Sequence, residues 1–156
     1  MKGKSFKLIV SILLPMLVGG VAGIFTVEGT NGWYRTLNAP SFNPPDWIFG
    51  PVWSMLYLLM GISLYMIWIE VDSALKSKAI RIFFLQLALN FVWSFLFFYF
   101  NNIDLALAEI VLLWITILWM IIQFMQINKA AAFLNIPYLL WVSFATALNI
   151  AFATLN

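Results

Sequence analysis

The sequence predicts an all-α membrane protein, a bundle of five transmembrane helices with a structured Pro/Trp-rich loop between helices one and two. The first observation is composition: 64% of the 156 residues are hydrophobic and only 9% are charged, too few to cover a soluble domain of this size. The second observation is length. One bilayer crossing takes about 20 apolar residues, so five crossings and their loops use up the chain. We therefore expect a single membrane domain over residues 1–156.

Five apolar segments account for the crossings, at about residues 6–27, 47–69, 80–100, 103–127 and 132–155. None has the period-two alternation of a membrane-barrel strand, and in lipid the backbone must be satisfied within helices or a closed barrel. The segments are therefore predicted to be helices. The first also resembles a signal peptide, but its apolar stretch continues past Gly23 and four further spans follow, which favours a span.

The basic residues predict the orientation. Only Arg35 falls on one side of the predicted bundle, whereas the other seven of the eight lie on the opposite side: Lys2, Lys4, Lys7, Lys76, Lys78, Arg81 and Lys129. Cytoplasmic loops carry the excess of Lys and Arg. We therefore expect a bacterial plasma-membrane protein with a cytoplasmic amino terminus and an external carboxyl terminus.

Two absent residue types restrict the chemistry. The chain has no cysteine and no histidine, which excludes disulfides and thiolate metal sites and removes the commonest general base. A haem would lack its usual axial ligands. We expect no metal site and no required cofactor. The sequence also lacks a basic stripe, which argues against nucleic-acid binding.

The loop at residues 28–46 is the only long one, and its composition is unusual for a solvated loop. Prolines discourage a continuous helix, and large aromatic side chains are too apolar to be left freely in water. We expect a packed lid over the outer mouth of the bundle, and the alternative is an interfacial aromatic belt. The prolines and aromatic residues concerned are Pro40, Pro44, Pro45, Trp33, Phe42 and Trp47.

Polar residues inside spans are the candidates for function. In segment three, one helical face carries Gln86, Asn90, Ser94 and Phe97, with Trp93 beside it. Asn90 is near mid-span, where its amide needs a partner on a neighbouring helix or on a ligand. Both alternatives stay open, because an amide has four hydrogen-bond positions.

Segment five offers a second face of interest. Trp141, Ala145 and Leu148 share it, with Asn149 one step round, and Pro137 is expected to bend the helix early in its course. A large indole beside a small alanine makes a step that suits one wall of a pocket. Ordinary helix packing is the alternative.

Three further residues have structural interpretations. Glu109 lies about two turns into segment four, where a carboxylate must be neutral, paired or close to the interface, and we interpret it as structural. Gly19 and Gly23 form a small-xxx-small pair that allows close helix approach. That approach would serve either packing within the bundle or a dimer contact.

The chain contains eight tryptophans. Several indoles in one cavity would suit a planar, largely apolar ligand such as a porphyrin or a polycyclic drug. Interfacial anchoring also uses tryptophan. The residues alone therefore predict a five-helix bundle with an aromatic pocket under an ordered lid.

Three stretches together resemble one known family. They are Trp33-Tyr34-x-x-Leu37-x-x-Pro40-x-Phe42-x-Pro44-Pro45-x-Trp47-x-Phe49-x-Pro51-Val52-Trp53, Leu87-Ala88-Leu89-Asn90-x-x-Trp93, and Pro137-Tyr138-Leu139-x-Trp141 with Phe144-Ala145-Thr146-x-Leu148-Asn149. The pattern is similar to that of the translocator protein family, also called tryptophan-rich sensory proteins or peripheral benzodiazepine receptors. The resemblance extends over essentially the whole chain. Within the family, the chain is similar to bacterial members.

The resemblance implies a homodimer in membrane lipid whose pocket lies between the helices beneath the first long loop. It also implies the ligands, namely porphyrins, notably protoporphyrin IX, and isoquinoline- or benzodiazepine-type lipophiles. Carried over to this chain, the ligand-binding residues are Tyr34, Pro44, Pro45, Ile48, Trp53, Asn90, Ser94, Trp141, Ala145 and Leu148.

One departure from the family bears on sterols. Animal members carry a cholesterol-recognition pattern, Tyr followed by Arg or Lys, at the end of the fifth helix. Residues 148–156 of this chain contain neither Tyr nor a basic residue, and such motifs are weak even when present. Tight cholesterol binding at that place is therefore not expected.

Three functions compete at this point. The first is a membrane receptor or sensor that binds porphyrin and is linked to tetrapyrrole handling and stress response. The second is light-dependent oxidative breakdown of bound porphyrin, with Trp53 and Trp141 as candidate catalytic residues and the porphyrin supplying the photochemistry. The third is porphyrin or sterol transport, although an odd number of spans and the lack of a charged relay argue against active transport.

Overall fold

The computed structural model describes residues 2–156, and the side chains of residues 3–156. All regular structure in this part of the chain is helical, and five stretches are long and apolar enough to cross a membrane. The predicted five-helix fold class is confirmed. The helices are α1 (Lys2–Asn31), α2 (Phe49–Trp68), α3 (Ala74–Ser94), α4 (Ile103–Met125), α5 (Lys129–Phe133) and α6 (Ile136–Leu155). The short α5 and the long α6 together form the fifth span.

Side-chain caps set the starts of three helices. The side chain of Ser73 accepts from the backbone N–H of Lys76 at the start of α3, Asn102 accepts from Leu105 at the start of α4, and Asn128 accepts from Ala131 at the start of α5. Each cap satisfies a backbone donor that the first helical turn leaves free.

A π turn over Phe95–Tyr99 continues the third span beyond α3. Its wider hydrogen bonds run from the N–H of Phe100 to the carbonyl of Phe95 at 3.0 Å and from Asn102 to Leu96 at 3.1 Å. Asn101 then reverses the chain with φ of 54°, a left-handed conformation that asparagine tolerates better than most residues. The third and fourth spans are therefore joined by a short turn.

The fifth span differs from its prediction. Pro137 was expected to bend a continuous helix, but α5 ends at Phe133 and Pro137 lies in the first turn of α6. A proline in a first turn sacrifices no hydrogen bond, because the backbone N–H that it lacks would have no partner within the helix there. Asn135 secures the interruption, because its buried Nδ2 donates to Ser63 Oγ at 2.6 Å and to the Ala131 carbonyl at 2.9 Å.

Glycines allow α1 and α2 to pack closely. A Cβ on Gly19 would overlap the ring of Tyr57, and a Cβ on Gly61 would lie 2.7 Å from Cα of Ile12. The first member of the predicted small-residue pair therefore serves packing within the bundle. Its partner Gly23 faces open space instead.

The predicted lid, defined here as residues 32–45, is ordered and fastened to the bundle. Asn38 donates its N–H to Asn156 Oδ1 at 2.8 Å, and Asn156 Nδ2 returns a bond to the Asn38 carbonyl at 3.2 Å. Pro40 is buried, and the ring of Phe42 meets that of Phe144 edge-on at 6.4 Å. The expected packed cover is thus present.

Trp47 departs from that expectation. It lies in the 3₁₀ turn Asp46–Ile48 just after the lid, and its side chain is 74% exposed. It faces outward because the turn directs it away from the bundle, as an interfacial anchor would be placed.

The two ends of the bundle are chemically distinct. Lys7 at the start of α1 reaches the carbonyl of Trp68 at the end of α2, and Asn128 Nδ2 donates to Glu70 at 2.9 Å. The start of α1 and the turns after α2 and α4 therefore meet at one end, which we call the basic end. The lid and the carboxyl terminus meet at the other, the lid end.

Candidate ligand site at the seam between α2 and α6

Trp53 lies on the face of α2 that contacts α6. Its ring stacks on that of Tyr57, one helical turn further on, with centroids 5.5 Å apart and 29° between the planes. It also meets the edge of Tyr138 on α6 at 6.2 Å. A helical spacing of four residues places Trp53 and Tyr57 one above the other, so α2 presents an aromatic wall to its neighbour.

Asn90 joins three helices beneath this wall. The hydroxyl of Tyr57 donates to Asn90 Oδ1 at 2.5 Å, and Asn90 Nδ2 donates to the hydroxyl of Tyr138 at 3.1 Å. The asparagine is 1% exposed. The predicted bonding of this amide to neighbouring helices is therefore present. One amide hydrogen and one lone pair of the side chain are not used by these two bonds.

Tyr57 and Tyr138 were not among the predicted site residues. Two signals in the sequence point to them. Tyr57 follows Trp53 by four residues, and Tyr138 precedes Trp141 by three within the proline-tyrosine stretch. A hydroxyl inside a span needs a partner, and in the structure Asn90 supplies one for both tyrosines.

An open apolar groove of about 610 Å³ runs along the outside of the same seam. Its lining has a single side-chain donor, the indole of Trp141, and Leu56 is its most buried wall residue. The lining residues are Pro51, Val52, Met55, Leu56, Leu59, Pro137, Leu140 and Trp141. The groove therefore suits a largely apolar ligand, to which the indole of Trp141 can donate one hydrogen bond.

Trp141 connects the groove to the lid. Its ring lies 6.1 Å from Phe49 at the start of α2 and 5.5 Å from Phe144, which in turn contacts Phe42 of the lid. Ala145 and Leu148, predicted on the same face, are buried in the bundle. Asn149 beside them accepts from the indole of Trp93 at 3.2 Å, so this part of α6 is packed against α3.

Tyr34 belongs to a separate aromatic cluster under the lid. Its ring packs on Phe97, Phe98 and Phe152, and its hydroxyl donates to Asn43 Oδ1 at 2.8 Å. The tyrosine therefore ties the lid to α6 and to the π turn. No described contact joins it to Trp53 or Asn90.

The remaining predicted residues lie around these groups. Ser94 is buried at the end of α3, Pro44 and Ile48 are half-buried near the start of α2, and Pro45 is exposed. The structure thus brings Trp53 and Asn90 together through two tyrosines and places Trp141 on the adjoining groove. Tyr34, Pro44 and Pro45 remain part of the lid.

Glu109 remains unpaired in the interior. It is 9% exposed, and neither carboxylate oxygen has a hydrogen-bond partner among residues 3–156. Gln86, buried on α3, likewise leaves its side-chain oxygen free within that range. The same part of the chain contains no group of three acidic, cysteine or histidine residues that could hold a metal ion.

Comparison with known proteins covers almost the whole chain. Residues 11–155 match the model of the TspO/MBR family. The chain is 41% identical over 150 residues to the tryptophan-rich protein TspO of Archaeoglobus fulgidus, spanning 96% of this chain and 97% of the other. It is 38% identical over 160 residues to that of Chlorobaculum tepidum, spanning 100% and 99%. To the translocator protein of Bos taurus it is 36% identical over 139 residues, spanning 88% and 82%. The matched range contains the lid and both walls of the seam.

Proposed function

The chain belongs to the TspO/MBR family, and we propose that it is a membrane receptor for porphyrins such as protoporphyrin IX and for isoquinoline- or benzodiazepine-type lipophiles. Membership of this family supports a membrane sensor or receptor role. The porphyrin and drug ligands, and the link to tetrapyrrole handling and stress response, are our proposal.

One observation carries the proposal: the α2/α6 seam combines two tryptophans, an apolar groove and a buried polar network. Trp53 stands over the Tyr57–Asn90–Tyr138 hydrogen bonds, and Trp141 forms part of the groove wall. Indole faces suit a flat macrocycle, because they offer large apolar contact with little loss of rotamer freedom. The buried Tyr57–Asn90–Tyr138 hydrogen bonds would hold the aromatic wall in a fixed orientation toward a ligand.

The test is a titration followed through the Soret absorbance of protoporphyrin IX, a readout that does not depend on the number of tryptophans. In the double variant Trp53→Ala, Trp141→Ala we expect the affinity to fall about tenfold or more, since each indole contributes contact area and aromatic stacking. Trp119→Ala is the matched control, because Trp119 is an exposed residue of α4 away from the seam.

Wild-type affinity in the double variant would remove the seam as the binding site. A similar loss in Trp119→Ala would mean that removing any indole weakens the interaction, so the loss in the double variant would not assign the site to the seam.

A second candidate function is light-dependent oxidation of the bound porphyrin. The observation that favours it is the stacked Trp53–Tyr57 pair, an electron-rich surface next to the proposed macrocycle position. In this reaction excited porphyrin activates dioxygen, which adds across a methine carbon–carbon double bond and cleaves it. Both oxygen atoms then appear in two new carbonyl groups, and Trp53 and Trp141 orient the macrocycle.

Illumination under ¹⁸O₂ distinguishes this reaction from ordinary bleaching. We expect a single product that carries two labelled oxygens and that forms only with intact tryptophans. If free porphyrin in empty micelles gives the same product at the same rate, the enzymatic role fails.

We also propose that the protein lies in the bacterial plasma membrane with its basic end in the cytoplasm. The support is that the turns after α2 and α4 join the start of α1 at one end, as the positive-inside rule requires. The chain has no cysteine, so single substitutions Ser5→Cys and Thr154→Cys report on each end. In whole cells an impermeant maleimide should label only Thr154→Cys, and labelling of Ser5→Cys alone would reverse the orientation.

A further inference from the structure

A small recess lies at the basic end, between the start of α1 and the end of α2. Its volume is about 300 Å³, and it is lined by Gly3, Lys4, Lys7 and Ile69. It is at the opposite end of the bundle from the lid. It shares no lining residue with the groove between α2 and α6.

Lys7 is held in place at this recess. Its Nζ donates to the carbonyl of Trp68 at 3.4 Å and lies 5.6 Å from the centre of the Trp68 ring. A cation over an indole is attracted by the ring, so the ammonium stays at the recess wall. Two of its three hydrogens are not used by the bond to Trp68.

The positive charge of the recess is not neutralised by an ion pair. Within residues 3–156 the one ion pair joins Lys76 to Asp72 at 2.7 Å, and Glu70 accepts from Asn128. Lys7 acts on Asp72 only at longer range, as the smallest of the influences on the pKa of that carboxyl. Lys4 and Lys7 therefore remain available to an anion.

Residues that neighbour the recess lining in the sequence are apolar and exposed. Phe6 is 64% exposed and Val71 is 86% exposed, and Ile69 forms part of the recess itself. A soluble anion would use the two lysines but would gain nothing from these side chains. A membrane lipid uses both, because its headgroup is charged and its chains are apolar.

We propose that this recess binds the phosphate of an anionic phospholipid, with Lys4 and Lys7 contacting the headgroup and the side chains of Phe6 and Ile69 contacting the chains. Each juxtamembrane lysine raises the affinity for anionic lipid about fivefold. Two lysines in one recess therefore predict a preference of roughly 25-fold for the anionic over the zwitterionic lipid.

The experiment uses the whole chain in detergent micelles, titrated with phosphatidylglycerol or phosphatidylcholine and examined by native mass spectrometry. We expect one retained phosphatidylglycerol in the wild type and its loss in Lys4→Gln, Lys7→Gln. Lys78→Gln, Lys129→Gln is the matched control, since it removes the same charge from the same end and should keep the lipid. Lys4→Arg, Lys7→Arg should keep it as well.

Three results would overturn the assignment. Equal lipid loss in both glutamine variants would indicate general surface attraction, and equal retention of phosphatidylcholine would remove the role of charge. Displacement of the lipid by glycerophosphoglycerol at equal concentration would identify a site for soluble phosphate esters. Thermal unfolding of every variant shows whether the fold is preserved before any loss is interpreted.

Discussion

The lid end and the basic end close the same bundle by different chemistry. At the lid end, Tyr34 packs against three aromatic rings and Asn156 bonds to Asn38. At the basic end, Lys76 bonds to Asp72 and to the Glu70 carbonyl, both at 2.7 Å. One closure depends on burial and neutral amides, and the other depends on charge.

The difference has a physical consequence. Aromatic packing and neutral hydrogen bonds are insensitive to salt, whereas exposed charges are screened within about 3 Å at 1 M salt. The lid end should therefore hold its structure over a wide range of pH and ionic strength. The basic end should respond to both, and it is the end at which we place an anionic lipid.

The largest effect is expected for Tyr34→Ala. Loss of the buried ring should destabilise the protein by about 3–5 kcal/mol, as for other large aromatic residues replaced by alanine. Thermal or SDS-induced unfolding measures this. Tyr34→Phe keeps the ring and loses only the bond to Asn43, so it should lose about 1 kcal/mol. Equal losses in both variants, or a strong salt dependence of either, would contradict a lid held by packing.

Asn156→Ala should loosen the lid without unfolding the bundle. The backbone N–H of Asn38 loses its acceptor on Asn156, so the hydrogen exchange of this N–H should quicken by about tenfold. Thr154→Ala is the control, because its hydroxyl bonds only to the nearby Ala151 carbonyl. Unchanged exchange in Asn156→Ala would mean that the aromatic cluster alone holds the lid.

Asn128→Ala examines the basic end. It removes the cap of α5 and the bond to Glu70, and a lost cap costs about 1 kcal/mol. Unfolding in micelles measures the loss, with Gln126→Ala as an exposed control. No difference between the two variants would show that this turn is held by its neighbours instead.

The smallest effect is expected for Asp72→Asn, and it should depend on pH. The hydrogen bond from Lys76, followed by its charge, holds the pKa of Asp72 below the ordinary value. The stabilisation is therefore present above the unfolded value of about 3.9 and disappears as pH falls through the lower folded value. Wild type and variant should differ above pH 4 and converge in stronger acid, and a constant difference would exclude the ion pair as its source.

The boundary between the third and fourth spans was predictable because it has a local cause. The third span was expected to end near residue 100 and the fourth to begin at 103, and Asn101 and Asn102 form that turn. Prolines and aromatic residues likewise predicted an ordered lid. Both signals come from residues that are neighbours in the sequence, so they can be recognised without knowing the tertiary structure.

The candidate site was only partly predictable. Asn90 and Trp53 were found by their residue types and by family resemblance, but Tyr57 and Tyr138 were not. Their importance comes from a contact among α2, α3 and α6, which are far apart in the sequence. Trp47 was predicted to pack in the lid, but its side chain faces outward. The direction of a side chain in a turn depends on the space that the rest of the bundle leaves for it.

The sequence by itself determined that this protein spans a membrane five times, because excess apolar side chain and span length depend only on composition and order. It also determined which end carries the positive charge. The tertiary structure decided that Gly19 serves packing, that Pro137 begins a helix, and that Trp141 lines a groove. Each of these depends on the distance between helices, and that distance is set by side chains meeting across the bundle.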